Sequence, residues 1–174
     1  MPGTQAGKTY SPCAAEGFQE EFNLQMEKVL RAMLPGGAFS DVPLARSQSM
    51  SRIRGKNNGT TEKTLRMALV RSGVRGWSMH PDLLGRPDFY FSAYRLAVFV
   101  DGCFWHACKK CGHVPRTRSE FWRAKLERNR QRDRRVGRQL RAQGIRVVRI
   151  WEHRLNSPEC VGGVLRAIRR LLNF

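Results

Sequence analysis

One stretch of the chain, Asp101 to His113 (DGCFWHACKKCGH), gathers a carboxylate, two imidazoles and three thiols. Its cysteines, Cys103, Cys108 and Cys111, follow C-x4-C-x2-C spacing, which offers three soft thiolates to one ion. A fourth donor would close a tetrahedral structural zinc site with no position left for water. Two histidines compete for that place. His113 is nearer in sequence, but a site confined to one loop would not staple two strands. His153, in the segment EHRL, would, and it is the expected ligand. The other reading of the thiols, a disulfide framework, fits poorly. The count of five cysteines is odd, and the first residues, MPGTQAGKTYSPC, lack the apolar core of a signal peptide.

Beside the cysteines stand candidates for hydrolytic chemistry. Asp88 opens one strand-like run and Asp101 closes the next, so antiparallel pairing would bring their carboxylates into one pocket. Two carboxylates at the edge of a basic sheet suit Mg²⁺ and a phosphodiester substrate. For either residue alone, ending a strand is the commoner reason for its presence. His106 lies five residues beyond Asp101 and can accept a proton from water near neutral pH. It can also ligate zinc, and spacing favours the base only narrowly. Glu62 is placed one turn before Leu65 and Leu69 on a helical stripe. Spacing alone explains it best as an acid at a helix N-terminus.

The elements that must position these groups follow from periodicity. A helix is expected from Thr60 or Thr61 to Ser72, with Leu65, Ala68, Leu69 and Ser72 inward and Gly73 ending it. Pro87–Phe91 and Leu96–Val100 flank the turn Ser92-Ala93-Tyr94 as a β-hairpin. The second run is apolar throughout, as a strand covered on both faces should be. A long helix from Ser119 to Gln143 and a strand from Ile145 to Trp151 complete a right-handed crossover between parallel strands. The loops after Val100 and Trp151 then lie at the same sheet edge. A last helix is expected over Val161–Leu172. The fold class is α/β, a small mixed β-sheet flanked by helices and stapled by zinc. Residues 1–45 read as an N-terminal extension with one short amphipathic helix, Phe18–Leu34, and residues 46–174 as the main domain.

Charge narrows the partner. Against 14 Asp and Glu stand 32 Lys and Arg, a net +18 with a pI near 11.1, which calls for a polyanion. Nucleic acid is the first candidate. No apolar run is long enough for a membrane span, so no membrane partner is expected and the setting is cytoplasmic, beside the nucleoid. Arg46, Arg52, Arg54 and Lys56 form a basic lead-in, and Arg116, Arg118 and the arginines of the long helix can meet phosphates. Within that helix Asn129 and Asp133 interrupt the inward stripe of Trp122, Leu126, Val136 and Leu140, so they are expected to hydrogen-bond the neighbouring loops. Phe104 and Trp105 are adjacent large aromatics, of which at least one is expected to be exposed. An exposed ring can wedge into a duplex, and the alternative is a cover over the zinc loop. Met50 is a weaker candidate wedge.

The strings GRPDFYF, FVDGCFWHACKKCG, VPRTRSEFW, NRQRDRR and VRIWEHRL, in that order, resemble the very short patch repair DNA endonucleases. Arg46 to Glu62 resembles their N-terminal arm, and the likeness ends near Leu155. It implies a restriction-endonuclease-like PD-(D/E)xK fold, Mg²⁺-dependent hydrolysis, and a nick 5′ of the T in a T·G mismatch, leaving 5′-phosphate and 3′-hydroxyl ends. It implies Asp88 and the Val100 carbonyl as Mg²⁺ ligands, His106 as base with Glu62 in support, and Phe104, Trp105 and Met50 as intercalating residues. Cys103, Cys108, Cys111 and His153 occupy its zinc positions, with ligand types exchanged at two of them. Its partners would be mismatched double-stranded DNA and mismatch-repair proteins, met by a monomer. The best-known members carry Thr-His where this chain has Val100-Asp101, so Asp101 is expected to complete a two-carboxylate Mg²⁺ site.

Overall fold

The computed structural model describes residues 25, 28–33 and 61–172. The first two sets belong to one compact unit and the last to another. In the first unit, residues 28–32 are helical, inside the expected Phe18–Leu34 helix. The basic lead-in, with Arg46, Met50, Arg52 and Lys56, lies outside the described residues.

The second unit opens with α1 (Glu62–Arg71), which buries Glu62, Leu65 and Leu69 one turn apart. Thr61 holds the cap position without a side-chain cap bond. The helix closes where Gly73, at φ 73°, lets the Val74 N–H reach back to the Leu69 carbonyl at 3.0 Å. A short strand, β1 (Trp77–Met79), follows, which periodicity did not reveal because three residues hold too little pattern. Then come β2 (Phe89–Phe91) and β3 (Leu96–Asp101), joined by a single 3₁₀ turn over Ser92–Tyr94 and by Arg95 at φ 47°. The crossover helix α2 (Ser119–Ala142) leads to β4 (Arg146–Trp151). After a 3₁₀ turn, Glu152–Leu155, the unit ends in α3 (Pro158–Leu171). That helix starts a turn earlier than expected. The Ser157 hydroxyl accepts the Cys160 N–H and Pro158 takes a first-turn place where no N–H is needed.

The sheet runs β1-β2-β3-β4, antiparallel twice and then parallel between β3 and β4. Every residue of β3 is buried, and its sides are divided by the pleat. Leu96, Val98 and Val100 join Leu65, Leu69, Ile168 and Leu172 in a core that includes α1 and α3. Ala97 and Phe99 join Val136 and Leu140 of α2 on the opposite face. The parallel register pairs Asp101 with Trp151, so the two chemistry-bearing loops leave the sheet side by side. The result is the expected α/β sandwich around a small mixed sheet. Among the described residues no helix is long and apolar enough to cross a membrane.

Candidate active site and metal centre

Two groups of donors sit at the edge where β3 and β4 end. In the first, Cys103, Cys108, Cys111 and His153 bring one donor atom each within 4.8 Å of all the others. The His153 Nδ1 lies 3.3, 3.6 and 3.4 Å from the three sulfurs in chain order. Tetrahedral zinc with ordinary Zn–S and Zn–N bonds would set that edge at about 3.5 Å, so the donor set fits structural zinc. The clustered sulfurs also act on one another's protons. The neighbouring Cys103 sulfur, with burial and Cys108, pushes the Cys111 thiol up to about 12. Burial raises Cys108 as well, but N–H groups of Cys111 and Lys110 outweigh it and hold that thiol low. Gly112 is required here by close approach, since a Cβ would stand 2.5 Å from the Cys108 carbonyl oxygen. His113, the rival ligand, is exposed and lies against Phe104, ring centres 5.6 Å apart.

The second group lies in a cleft of about 640 Å³ whose lining includes Glu62, Asp88, Asp101, His106, Asp133 and Arg149. Asp88 is brought there by the tight turn before β2. Gly85 has φ 75° and sits so close to α2 that a Cβ would meet the Val136 Cγ1 at 2.4 Å. Asp88 Oδ2 accepts the Val100 N–H at 2.6 Å, which ties the two strands at their ends. Burial pushes the Asp88 carboxyl up to about 6, a rise that the Val100 N–H opposes and Glu62 adds to. Glu62, buried on the first turn of α1, has its Oε2 3.0 Å from His80 Nε2. One donor atom each from Glu62, His80 and Asp88 falls within 4.8 Å of the others.

Asp101 lines the same cleft as Asp88, as expected, but its oxygens are not among these grouped donors. Both of its oxygens are taken by Arg149, Nε to Oδ2 and Nη2 to Oδ1, each at 2.6 Å. The physical reason lies in β4: Arg149 interrupts a Val/Ile-rich strand and pairs in register with Phe99, over whose ring its guanidinium rests 4.9 Å from the centre. Burial alone would ease that guanidinium's proton off, but Asp101 and Asp133 reverse the sign and keep it firmly charged. Its Nη1 is buried without a hydrogen-bond partner.

His106 is held from α2. Its Nδ1 contacts Asp133 Oδ2 at 2.5 Å, with Asp101 Oδ1 at 3.7 Å. Asp133 is driven two ways: burial raises its carboxyl, and His106 and Arg149 pull it below the usual carboxylate range and prevail. Asn129 Nδ2 donates to the Trp105 carbonyl at 2.9 Å. The two polar breaks in the α2 stripe thus hydrogen-bond the Asp101–His113 loop, in line with the expectation that they bond neighbouring loops.

Phe104 and Trp105 are both half-buried, so neither is the exposed wedge foreseen. Each packs on Trp122, at 5.2 and 6.1 Å between ring centres, and Lys125 Nζ lies 5.4–5.5 Å from the rings of Trp105, Phe121 and Trp122. This mutual stacking removes aromatic surface from water, which is why neither projects. Arg116 is exposed and Arg118 half-buried ahead of α2. A second cleft of about 750 Å³, flanked by α1 and α3, has no carboxylate or imidazole in its lining.

His80, the Asp133 contact to His106, and Arg149 were not assigned site roles from the sequence. A signal existed for two of them, a carboxylate on an apolar helix stripe and a charge in an apolar strand. For His80, in an irregular turn, none did.

Comparison with known proteins adds a family to this geometry. Residues 41–113 match the family model "DNA mismatch endonuclease Vsr". The type II nicking enzyme V.NaeI of Lentzea aerocolonigenes is 41% identical over 147 residues, 81% of this chain and 88% of that protein. V.XorIIP of Xanthomonas oryzae is 38% identical over 128 residues, covering 72% and 93%. The DNA mismatch endonuclease Vsr of Escherichia coli K12 is 39% identical over 116 residues, covering 66% and 73%.

Proposed function

This chain belongs to the DNA mismatch endonuclease Vsr family and is a DNA endonuclease; we propose from that premise that it nicks, with Mg²⁺ or a similar divalent cation, the strand carrying T at a T·G mismatch. The observation that carries the reading is one cleft lined both by an aspartate-held imidazole, His106–Asp133, and by the carboxylates of buried Glu62 and half-buried Asp88.

Asp133 accepts a hydrogen bond from the His106 Nδ1–H, which fixes the tautomer and leaves Nε2 as the basic nitrogen. That nitrogen takes a proton from the water attacking the scissile phosphorus. The leaving oxygen is the 3′ oxygen of the preceding nucleotide, so the products are a 3′-hydroxyl and a 5′-phosphate. A cation held by Asp88 and Glu62, with the Val100 carbonyl alongside, would neutralise phosphate charge and acidify bound water. Asp101 is assigned to hold Arg149, whose guanidinium is placed to steady Asp133 at 3.2 Å. Cys103, Cys108, Cys111 and His153 would hold a structural zinc, which would anchor the loop that carries His106. Phe104 and Trp105 would have to leave their stacked positions to enter a duplex, with Met50 arriving from the other side. Arg46, Arg52, Lys56, Arg116 and Arg118 would contact phosphates.

End-labelled duplexes that differ only in one T·G or T·A pair test the substrate. The expected outcome is a single nick 5′ of the mismatched T and an uncut control. Equal cutting of both duplexes would retain the nuclease and discard mismatch repair.

A further inference from the structure

We propose that His80 is a third protein ligand of the catalytic cation, and that its nitrogen makes this site favour Mn²⁺ over Mg²⁺. The inference rests on the reading that Asp88 and Glu62 hold that cation.

His80 stands one residue past β1, and its N–H donates to the Asp88 carbonyl at 3.3 Å, so the two residues face each other at the end of the β1–β2 ladder. Its backbone is left-handed, φ 47°, which is costly for a residue with a Cβ. Its Nε2 comes within 3.0 Å of Glu62 Oε2. The alignment is nonetheless wrong for a hydrogen bond, and this nitrogen is shut off from solvent with no hydrogen-bond partner. A buried, unsatisfied ring nitrogen is expensive unless something accepts its lone pair. The 3.0 Å contact is close to the separation of about 3 Å between adjacent donors on a six-coordinate ion with bonds near 2.1 Å. An aspartate, a glutamate and an imidazole form a mixed oxygen and nitrogen donor set. Mg²⁺ prefers oxygen and water throughout, whereas Mn²⁺ accepts imidazole as well.

The test uses the zinc-loaded full chain. Mn²⁺ binding is titrated by electron paramagnetic resonance and Mg²⁺ by competition, in wild type, His80→Asn, His80→Gly and Asp88→Asn. Asparagine and glycine both tolerate the left-handed backbone, so one folded variant of the two suffices. The expected result is a loss of Mn²⁺ affinity of roughly tenfold or more on replacing His80, with Mg²⁺ affinity little changed. Bound Mn²⁺ should also show nitrogen modulation of its spin echo, lost in the His80 variants and kept in His106→Asn. Unchanged Mn²⁺ affinity and nitrogen modulation without His80, while Asp88→Asn still abolishes binding, would overturn the proposal and leave the carboxylate site standing. Binding of both ions that survives Asp88→Asn would overturn the site itself and the proposal with it.

Discussion

Asp88 releases its proton near pH 6 in the folded protein, against 3.8 for an unperturbed aspartate. The folded state therefore binds the proton more tightly than the unfolded chain does. Stability from this group is complete below about pH 4 and declines as pH rises through 6, by on the order of 3 kcal/mol. The zinc-loaded, Mg²⁺-free protein should lose melting temperature across that window relative to Asp88→Asn, which removes the titration. Parallel pH curves for the two proteins would contradict the buried-carboxylate account. Asp133 is the second residue whose role is testable alone. Its carboxyl lies below the usual range, so it is ionised wherever the enzyme works. Asp133→Asn keeps the shape but no longer selects the Nδ1–H tautomer. Nicking under single-turnover conditions should fall by roughly a hundredfold or more, with some loss of melting temperature because a charge that pairs with Arg149 is removed; a loss of nicking below about threefold would remove Asp133 from the mechanism.

At the scale of elements, the site is a consequence of where β3 and β4 end. Their parallel register sets the Asp101 loop beside the His153 segment, and zinc donors from both then close the edge. The Cys108–Cys111 turn is tight enough that Gly112→Ala would drive a Cβ into the Cys108 backbone, at 2.5 and 2.8 Å from its O and N. Zinc content and melting temperature of that variant should both drop, and full zinc occupancy would contradict the packing. This architecture was largely legible beforehand. The 3.6-residue stripe of α2, the apolar run of β3 and the Gly73 stop are strong local signals, and parallel strands made the neighbouring loops predictable. What stayed hidden depended on contacts between elements. Leu96–Val100 reads as a strand with Asp101 at its end, but nothing in it says that Arg149, 48 residues on, will claim both oxygens of Asp101. His80 is invisible for the same reason: its partners, Glu62 and Asp88, come from a helix and from the turn before β2. Half-burial of Phe104 and Trp105 depends on Trp122 and Lys125, which no spacing rule connects to them.

For the molecule as a whole, a net charge of +18 on 174 residues gives DNA affinity that does not depend on the chemistry of the cleft. Binding and cutting should thus be separable. In the proposed mechanism the arginines would bring in the duplex, the zinc-binding loop would present His106, and Asp88 and Glu62 would hold the cation. The most direct measurement is single-turnover nicking of a T·G duplex by wild type and Asp88→Asn, with duplex affinity measured on the same preparations. The account predicts that cutting of the T strand falls by roughly a thousandfold or more while affinity stays within about threefold. Undiminished nicking by Asp88→Asn would contradict it.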